Sequence, residues 1–383
     1  MPEKRYLFTP GPTPVPPEVL AALAQPVVHH RGPDFRKIYG RCLERLAEVY
    51  RTDSDVLLFT SSGTGGLESV VANLCAPGDK VLAVTAGNFG ERWAGLAELY
   101  GCDVQRLTYE WGETPSPDEL DARLDEIGGA KVVLLTHSET STGVVADVQA
   151  LAAVARGARA MVAVDAVSSL GAVPLDTDSW DLDAVVSGSQ KALMTPPGLA
   201  FVAVSERAMD AASELPVRGL YFDWRRTKAG QAKLDAPVTP AVSLITALDV
   251  ALGILLEEGI DSAVERHIRL GRACRAGVKA MGLELFSPDE DRSAVVTAVR
   301  VPEGVDAAAL LLDLRDRMGV QLIGGQGELK GKVVRIGHIG YYDVFDITTA
   351  LGALELGLSE AGAEIERGIA VTAALEAFEH TKV

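Results

Sequence analysis

Lys191 lies near the end of the stretch Leu182-Asp183-Ala184-Val185-Val186-Ser187-Gly188-Ser189-Gln190-Lys191-Ala192-Leu193, which begins apolar and turns to small polar residues. Met194-Thr195-Pro196-Pro197-Gly198 follows. The pattern predicts a buried strand running into a tight loop, with the lysine at its lip. Burial strips hydration from an ammonium, lowers its pKa and frees a nucleophilic amine. Such an amine beside a floor of small residues suits Schiff-base chemistry with a carbonyl compound. An isolated lysine is more often exposed, so the assignment needs companions.

Three candidates supply them. Ser61-Ser62-Gly63-Thr64-Gly65-Gly66 separates a short apolar run from a helical one. Small residues there let backbone N–H groups converge at a helix N-terminus, which favours an anion. The turn lacks the lysine of a P-loop and the spacing of a dinucleotide fingerprint. Asp165 closes the apolar run Ala160-Met161-Val162-Ala163-Val164. A carboxylate at that strand end faces the ligand edge of a sheet and needs a cationic partner; a helix cap at Ser168-Ser169-Leu170 is the alternative. Arg335, in Val333-Val334-Arg335-Ile336-Gly337, is a fork for a substrate carboxylate or a strand arginine paired with a surface acid.

The elements that must position these residues alternate. Apolar runs at 56–60, 80–84, 131–136, 160–165, 184–187 and 199–204 read as strands, with helical periodicity at 35–50, 67–74, 90–100 and 151–158 between several of them. Strands without clean alternation, separated by helices, predict a mostly parallel sheet covered on both faces, an α/β fold. Beyond Leu234-Asp235-Ala236-Pro237-Val238-Thr239-Pro240 the pattern changes to helices at 242–258, 261–281 and 307–318 and strands at 294–301 and 332–336. The expected division is an extended arm over 1–18, a large domain over 19–245 and a smaller C-terminal α/β domain with antiparallel pairing over 246–383.

The net charge of −17 over 383 residues disfavours nucleic acid and anionic membrane as partners. No apolar segment has membrane length and no leader or terminal address is evident, which predicts a cytoplasmic protein. Cys42, Cys75, Cys102 and Cys274 form no CxxC pair. Reduced core thiols are expected, with no metal site.

Taken in order, these motifs resemble the class V, fold-type I pyridoxal-phosphate aminotransferases of the alanine–glyoxylate, serine–glyoxylate and serine–pyruvate group. The resemblance rests on Thr9-Pro10-Gly11-Pro12-Thr13, Ser62-Gly63-Thr64-Gly65-Gly66-Leu67-Glu68 and His137-Ser138-Glu139-Thr140-Ser141-Thr142-Gly143. It continues through Val164-Asp165-Ala166-Val167-Ser168-Ser169, Ser187-Gly188-Ser189-Gln190-Lys191 and Arg335-Ile336-Gly337. It implies a large domain with a seven-stranded, mostly parallel sheet and a homodimer with active sites near the interface. Lys191 would hold pyridoxal phosphate covalently and carry a proton, and Asp165 would pair with the pyridine nitrogen. Ser62, Gly63, Thr64 and Gln190 would bind the phosphate, with Thr239 reaching it from the neighbouring subunit. Phe89 would stack on the ring, Val167 would pack on its other face and Thr140 would touch its phenolic oxygen. Arg335 and Gly11 would bind substrate.

Two departures stand out. The stretch around Thr239 lacks the tyrosine some relatives carry, and phenylalanine replaces tryptophan at the stacking place. A transaminase moving the amino group of alanine or serine to glyoxylate or pyruvate is expected, with aspartate or broad donor use as the alternative. No second arginine is clearly placed for a side-chain carboxylate, and Arg31 could stand near the mouth. A cysteine desulfurase on the same fold is the remoter rival. It is disfavoured by Phe89 at the stacking place and by the thiol-free segment Gly324-Gly325-Gln326-Gly327-Glu328.

Overall fold

A computed structural model describes residues 4–287 and 294–380. The extreme residues read for address signals, 1–3 and 381–383, lie outside the described residues. The centre is a seven-stranded sheet in the order Asp55–Phe59, Ala200–Val204, Ala184–Gly188, Met161–Asp165, Val132–Thr136, Lys80–Thr85, Asp103–Thr108. Alternate residues of each strand enter opposite layers, as the pleat requires. Leu57, Val81, Leu134, Val186 and Val202 pack on one side with Val70, Trp93 and Trp224. Leu58, Leu82, Leu135, Val164 and Phe201 pack on the other with Phe35, Leu46, Leu151 and Leu252. The helix Val242–Glu258 belongs to this second layer through Ile245, Leu248, Leu252 and Leu255.

One strand runs against the rest. Ala200–Val204 is antiparallel to both neighbours, whereas the other adjacent pairs are parallel. The connection before it, 189–199, contains no helix and is too short for a parallel crossover, which takes a dozen residues or more. That reversal places Lys191 in a loop beside the carboxyl ends of the parallel strands. The neighbouring register pairs Asp165 with Val186. A further strand, Asp103–Thr108, escapes the hydrophobic pattern because it is an edge whose residues are exposed or half-buried.

The helix Gly63–Leu74 lies very close to the sheet. A Cβ on Gly66 would come within 2.6 Å of Val186 Cγ1, so glycine permits that approach. The smaller sheet is antiparallel, with Val333–Gly337 between Val296–Arg300 and Ile323–Gly324. The helices Ile260–Ala280, Ala307–Asp316, Val344–Glu360 and Ile369–His380 close its core around Leu270, Leu310, Ile336 and Leu351. Over its described residues, 4–16, the arm is extended. Its strand Tyr6–Leu7 pairs in parallel with Val320–Gln321, and Gly337 N donates to Phe8 O at 2.8 Å. It then crosses to the Lys191 loop, where Thr13 N donates to Gln190 O at 3.2 Å and Thr13 Oγ1 to Lys191 O at 3.0 Å. Among the described residues, no helix is long and apolar enough to cross a membrane and no cluster could hold a metal ion.

Candidate active site

The arm, the Lys191 loop, the turn after Asp165 and the first turns of the helices Gly63–Leu74 and Asn88–Leu99 border a cavity of about 340 Å³. Its wall includes Gly11, Ser62, Gly63, Thr64, Phe89, Asp165, Val167, Gln190 and Lys191, which are nine of the residues singled out in the sequence. Lys191 is 8 % exposed, and its Nζ donates to Pro10 O at 2.9 Å. Burial pushes its ammonium down to about 8; Arg335 pushes the same way and Asp165 opposes them. Gly11 gives the lysine end room for this contact. Its φ is +153°, and a Cβ there would stand 2.4 Å from both Cε and Nζ of Lys191.

Asp165 is 5 % exposed. No helix follows it directly; its Oδ1 accepts from Val167 N at 2.9 Å within a turn. Burial raises its carboxyl to about 6, and nearby Glu139 adds to that; the Val167 N–H, Lys191 and Arg92 oppose it. A cation brought to its carboxylate would relieve the buried charge.

The strand Asp55–Phe59 feeds the anion cradle. Ser62 is the N-cap of Gly63–Leu74, yet its side chain makes no cap hydrogen bond, so the hydroxyl stays available at a helix N-terminus. Gly63 cannot carry a side chain, since a Cβ would meet Val167 Cγ2 at 2.8 Å. Gln190 Oε1 is buried and without a hydrogen-bond partner. On the opposite wall, Glu139 fixes Phe89: its Oε2 accepts from Phe89 N at 2.9 Å and Gly90 N at 3.2 Å. Its Oε1 accepts from Ser141 N at 3.1 Å. Burial raises the Glu139 carboxyl above its usual range.

Four residues raised in the sequence stand outside this wall. Thr140 is buried, and its carbonyl accepts from Arg335 Nη1 at 2.6 Å. Arg335 is 2 % exposed and also donates from Nε to Gly324 O at 3.0 Å. Burial lowers its guanidinium to about 10. Two carbonyls thus orient the fork and leave further N–H donors. Thr239 is exposed in the loop before Val242–Glu258. Arg31 is turned to Asp235 at 3.7 Å, away from the cavity wall.

Pro12, Leu67, Ser138, Ser168 and Pro197, given no site role in the sequence motifs, and Arg92, outside those motifs, also line the cavity. Arg92 is exposed, with its guanidinium 4.9 Å from the centre of the Phe89 ring. Its only sequence signal was its place one helical turn after Phe89. Glu139 could have been noticed as a carboxylate among small hydroxylic residues.

The groups suit a planar ligand with an anionic arm and a cationic nitrogen: a helix N-terminus with free hydroxyls, the Gln190 amide on the cavity wall, a half-buried aromatic ring, a buried carboxylate and a buried amine. With one reversed strand behind the lysine loop, fold and site define a fold-type I pyridoxal-phosphate-dependent transferase. The sequence matches the aminotransferase class-V family over residues 5–337, and the chain belongs to that family. It is 37 % identical to an L-aspartate–glyoxylate aminotransferase of Paracoccus denitrificans, covering 100 % of this chain and 98 % of that one. It is 36 % identical to a serine–glyoxylate aminotransferase of Methylorubrum extorquens, covering 97 % and 96 %. The structure of a ureidoglycine–glyoxylate aminotransferase from Bacillus subtilis superposes with a TM-score of 0.95 at 33 % identity, covering 99 % of each chain. The cofactor is pyridoxal phosphate, and the protein is an aminotransferase.

Proposed function

We propose that this aminotransferase transfers the amino group of a small L-amino acid to glyoxylate. The shared acceptor carries the reading: the two relatives and the structural neighbour act on three different donors, and each is named for glyoxylate. When bound, pyridoxal phosphate supplies a carbonyl that takes up amino groups and a ring that withdraws electrons.

The remaining work falls to this chain. Ser62, Gly63, Thr64 and Gln190 hold the phosphate, and Thr239 serves the partner's site in a homodimer. Phe89 and Val167 confine the ring between them. Thr140, whose carbonyl already orients Arg335, reaches the phenolic oxygen. Asp165 holds a proton on the facing nitrogen, since pairing relieves its buried charge. Lys191 Nζ would hold the cofactor's carbonyl and would be the base that carries the substrate's proton. Its lowered pKa leaves a useful fraction neutral near neutrality, the condition for both tasks. Arg335 forks the substrate carboxylate while Gly11 and Pro12 close over it. The cysteines are all free, as a reducing, cytoplasmic setting would keep them.

Alanine and serine are the donors first expected. The cavity favours a second reading, aspartate, because Arg92 lines it and is exposed. A panel of alanine, serine and aspartate against glyoxylate and pyruvate, run on wild type and Arg92→Leu, tests both. Loss of aspartate turnover alone in Arg92→Leu supports the aspartate reading. Turnover confined to pyruvate would sink the glyoxylate assignment.

A further inference from the structure

The helix Asn88–Leu99 carries Phe89 and, one turn on, Arg92, both on the cavity wall. Its N-cap is Gly87, which has no side chain to satisfy the first turn. The acceptors come instead from the segment that begins with the strand Ser138–Glu139. Ser141 Oγ accepts from Asn88 N at 3.1 Å. Glu139 Oε2 accepts from Phe89 N at 2.9 Å and Gly90 N at 3.2 Å. The other carboxylate oxygen, Oε1, accepts from Ser141 N at 3.1 Å and from the Ser141 hydroxyl at 2.5 Å. Glu139 is 3 % exposed, and a carboxylate so buried is kept charged only by donors of this kind. Gly87 makes room for it: a Cβ there would stand 2.5 Å from Glu139 Cγ and 2.6 Å from Ser141 Oγ.

The residues beside Glu139 meet other parts of the site. Ser138 lines the cavity, and Thr140 O accepts from Arg335 Nη1 at 2.6 Å. The turn between them is itself held, because Thr142 N and Gly143 N donate to Glu139 O at 3.2 and 2.9 Å. Glu139 is not on the cavity wall, so it acts on a ligand only through the residues it holds.

We infer that Glu139 is a positioning residue, which caps the helix Asn88–Leu99 from outside and so fixes the Phe89 ring relative to the Arg335 fork. This rests on the roles of Phe89 and Arg335 proposed above. A negative group at a helix N-terminus is favourable, and here it also sets where the helix starts. Its charge opposes the desolvation that lowers the Arg335 guanidinium. The four donors explain why a carboxylate stands here and not an amide. A glutamine has one acceptor oxygen. Turned to Phe89 and Gly90, it would press its NH₂ on Ser141 N–H; turned the other way, it would press it on the helix end.

The test compares wild type with Glu139→Gln, which keeps size and shape. Hydrogen exchange of the peptide 87–92 in the apoenzyme should become roughly 10-fold faster or more, as for a lost hydrogen bond to a charged group. In the holoenzyme, cofactor release into an apoenzyme trap should also rise, and the donor KM with it. Two double-mutant cycles separate positioning from general loosening. The rise in cofactor release should largely vanish in a Phe89→Ala background, and the rise in KM in an Arg335→Ala background. Ser141→Ala should move the same readings in the same direction by less, and it replaces Glu139→Gln if that variant does not fold. Unchanged exchange at 87–92 overturns the inference. So do effects that multiply independently in both backgrounds. The cycles are read with whichever donor and acceptor are turned over, so failure of the glyoxylate assignment leaves them intact. Failure of the fork assignment would show as unaltered KM in Arg335→Ala alone, and the Phe89 cycle then decides the role of Glu139.

Discussion

Lys191→Met should make the apoenzyme more stable at pH 7, although it removes the residue proposed to carry turnover. Burial moves the ammonium from 10.5 to about 8, which costs roughly 3 kcal/mol of folding free energy wherever the group is charged in both states. Methionine has similar length and no charge to desolvate. It also leaves Pro10 O without its 2.9 Å donor, a loss of about 1 kcal/mol. The net gain is therefore about 2 kcal/mol. The sign follows from proton binding. Between 8 and 10.5 the unfolded lysine holds a proton that the folded one has released, so wild type gains stability on the variant as pH rises through that window. Above it only the lost hydrogen bond remains, and the variant becomes the less stable protein. Urea unfolding of both apoproteins, at equal concentration and at pH 7, 9 and 10.5, measures the crossing. In an Asp165→Asn background the gain should grow, because the charge that opposes the downward shift is gone. An advantage that is absent at pH 7, or that does not shrink as pH rises, would falsify the claim that Lys191 is held against a desolvation penalty.

Gly11→Ala should abolish turnover while the protein still folds, since the new Cβ lands 2.4 Å from Lys191 Nζ; absorbance of the bound cofactor and specific activity report both. Arg335→Ala should raise the donor KM by roughly 10- to 150-fold, the equivalent of about 1.5–3 kcal/mol for charged hydrogen bonds, and leave the cofactor spectrum unchanged. Unaltered KM would remove Arg335 from the substrate site. Asp183→Ala should cost about 1–3 kcal/mol in unfolding, because it leaves the buried Val162 N–H without the acceptor it meets at 2.7 Å. Asp165→Asn should weaken cofactor retention on dialysis more than it changes the melting temperature.

What could be read from the sequence was charge set against burial. Lys191 and Asp165 stood out because each closes an apolar run, and a strand end is where a buried charge can still meet a ligand. The same logic underlies Arg335, but only the structure shows its fork aimed by the carbonyls of Thr140 and Gly324. Backbone acceptors carry no residue signature, so no sequence pattern could have named them. Strand direction was hidden for a related reason. Ala200–Val204 is as apolar as its parallel neighbours, since it too is buried on both faces; only the short, helix-free connection behind it argued for reversal. Arg92 was invisible because a charged side chain one turn along a helix usually means a solvated face, and here that face borders the cavity. The local sequence therefore identified residues under stress from burial. Their partners came from the fold, because relief for a buried charge is supplied across the chain and not along it. The pKa values of Lys191 and Asp165, displaced toward each other by burial, are the physical record of that arrangement.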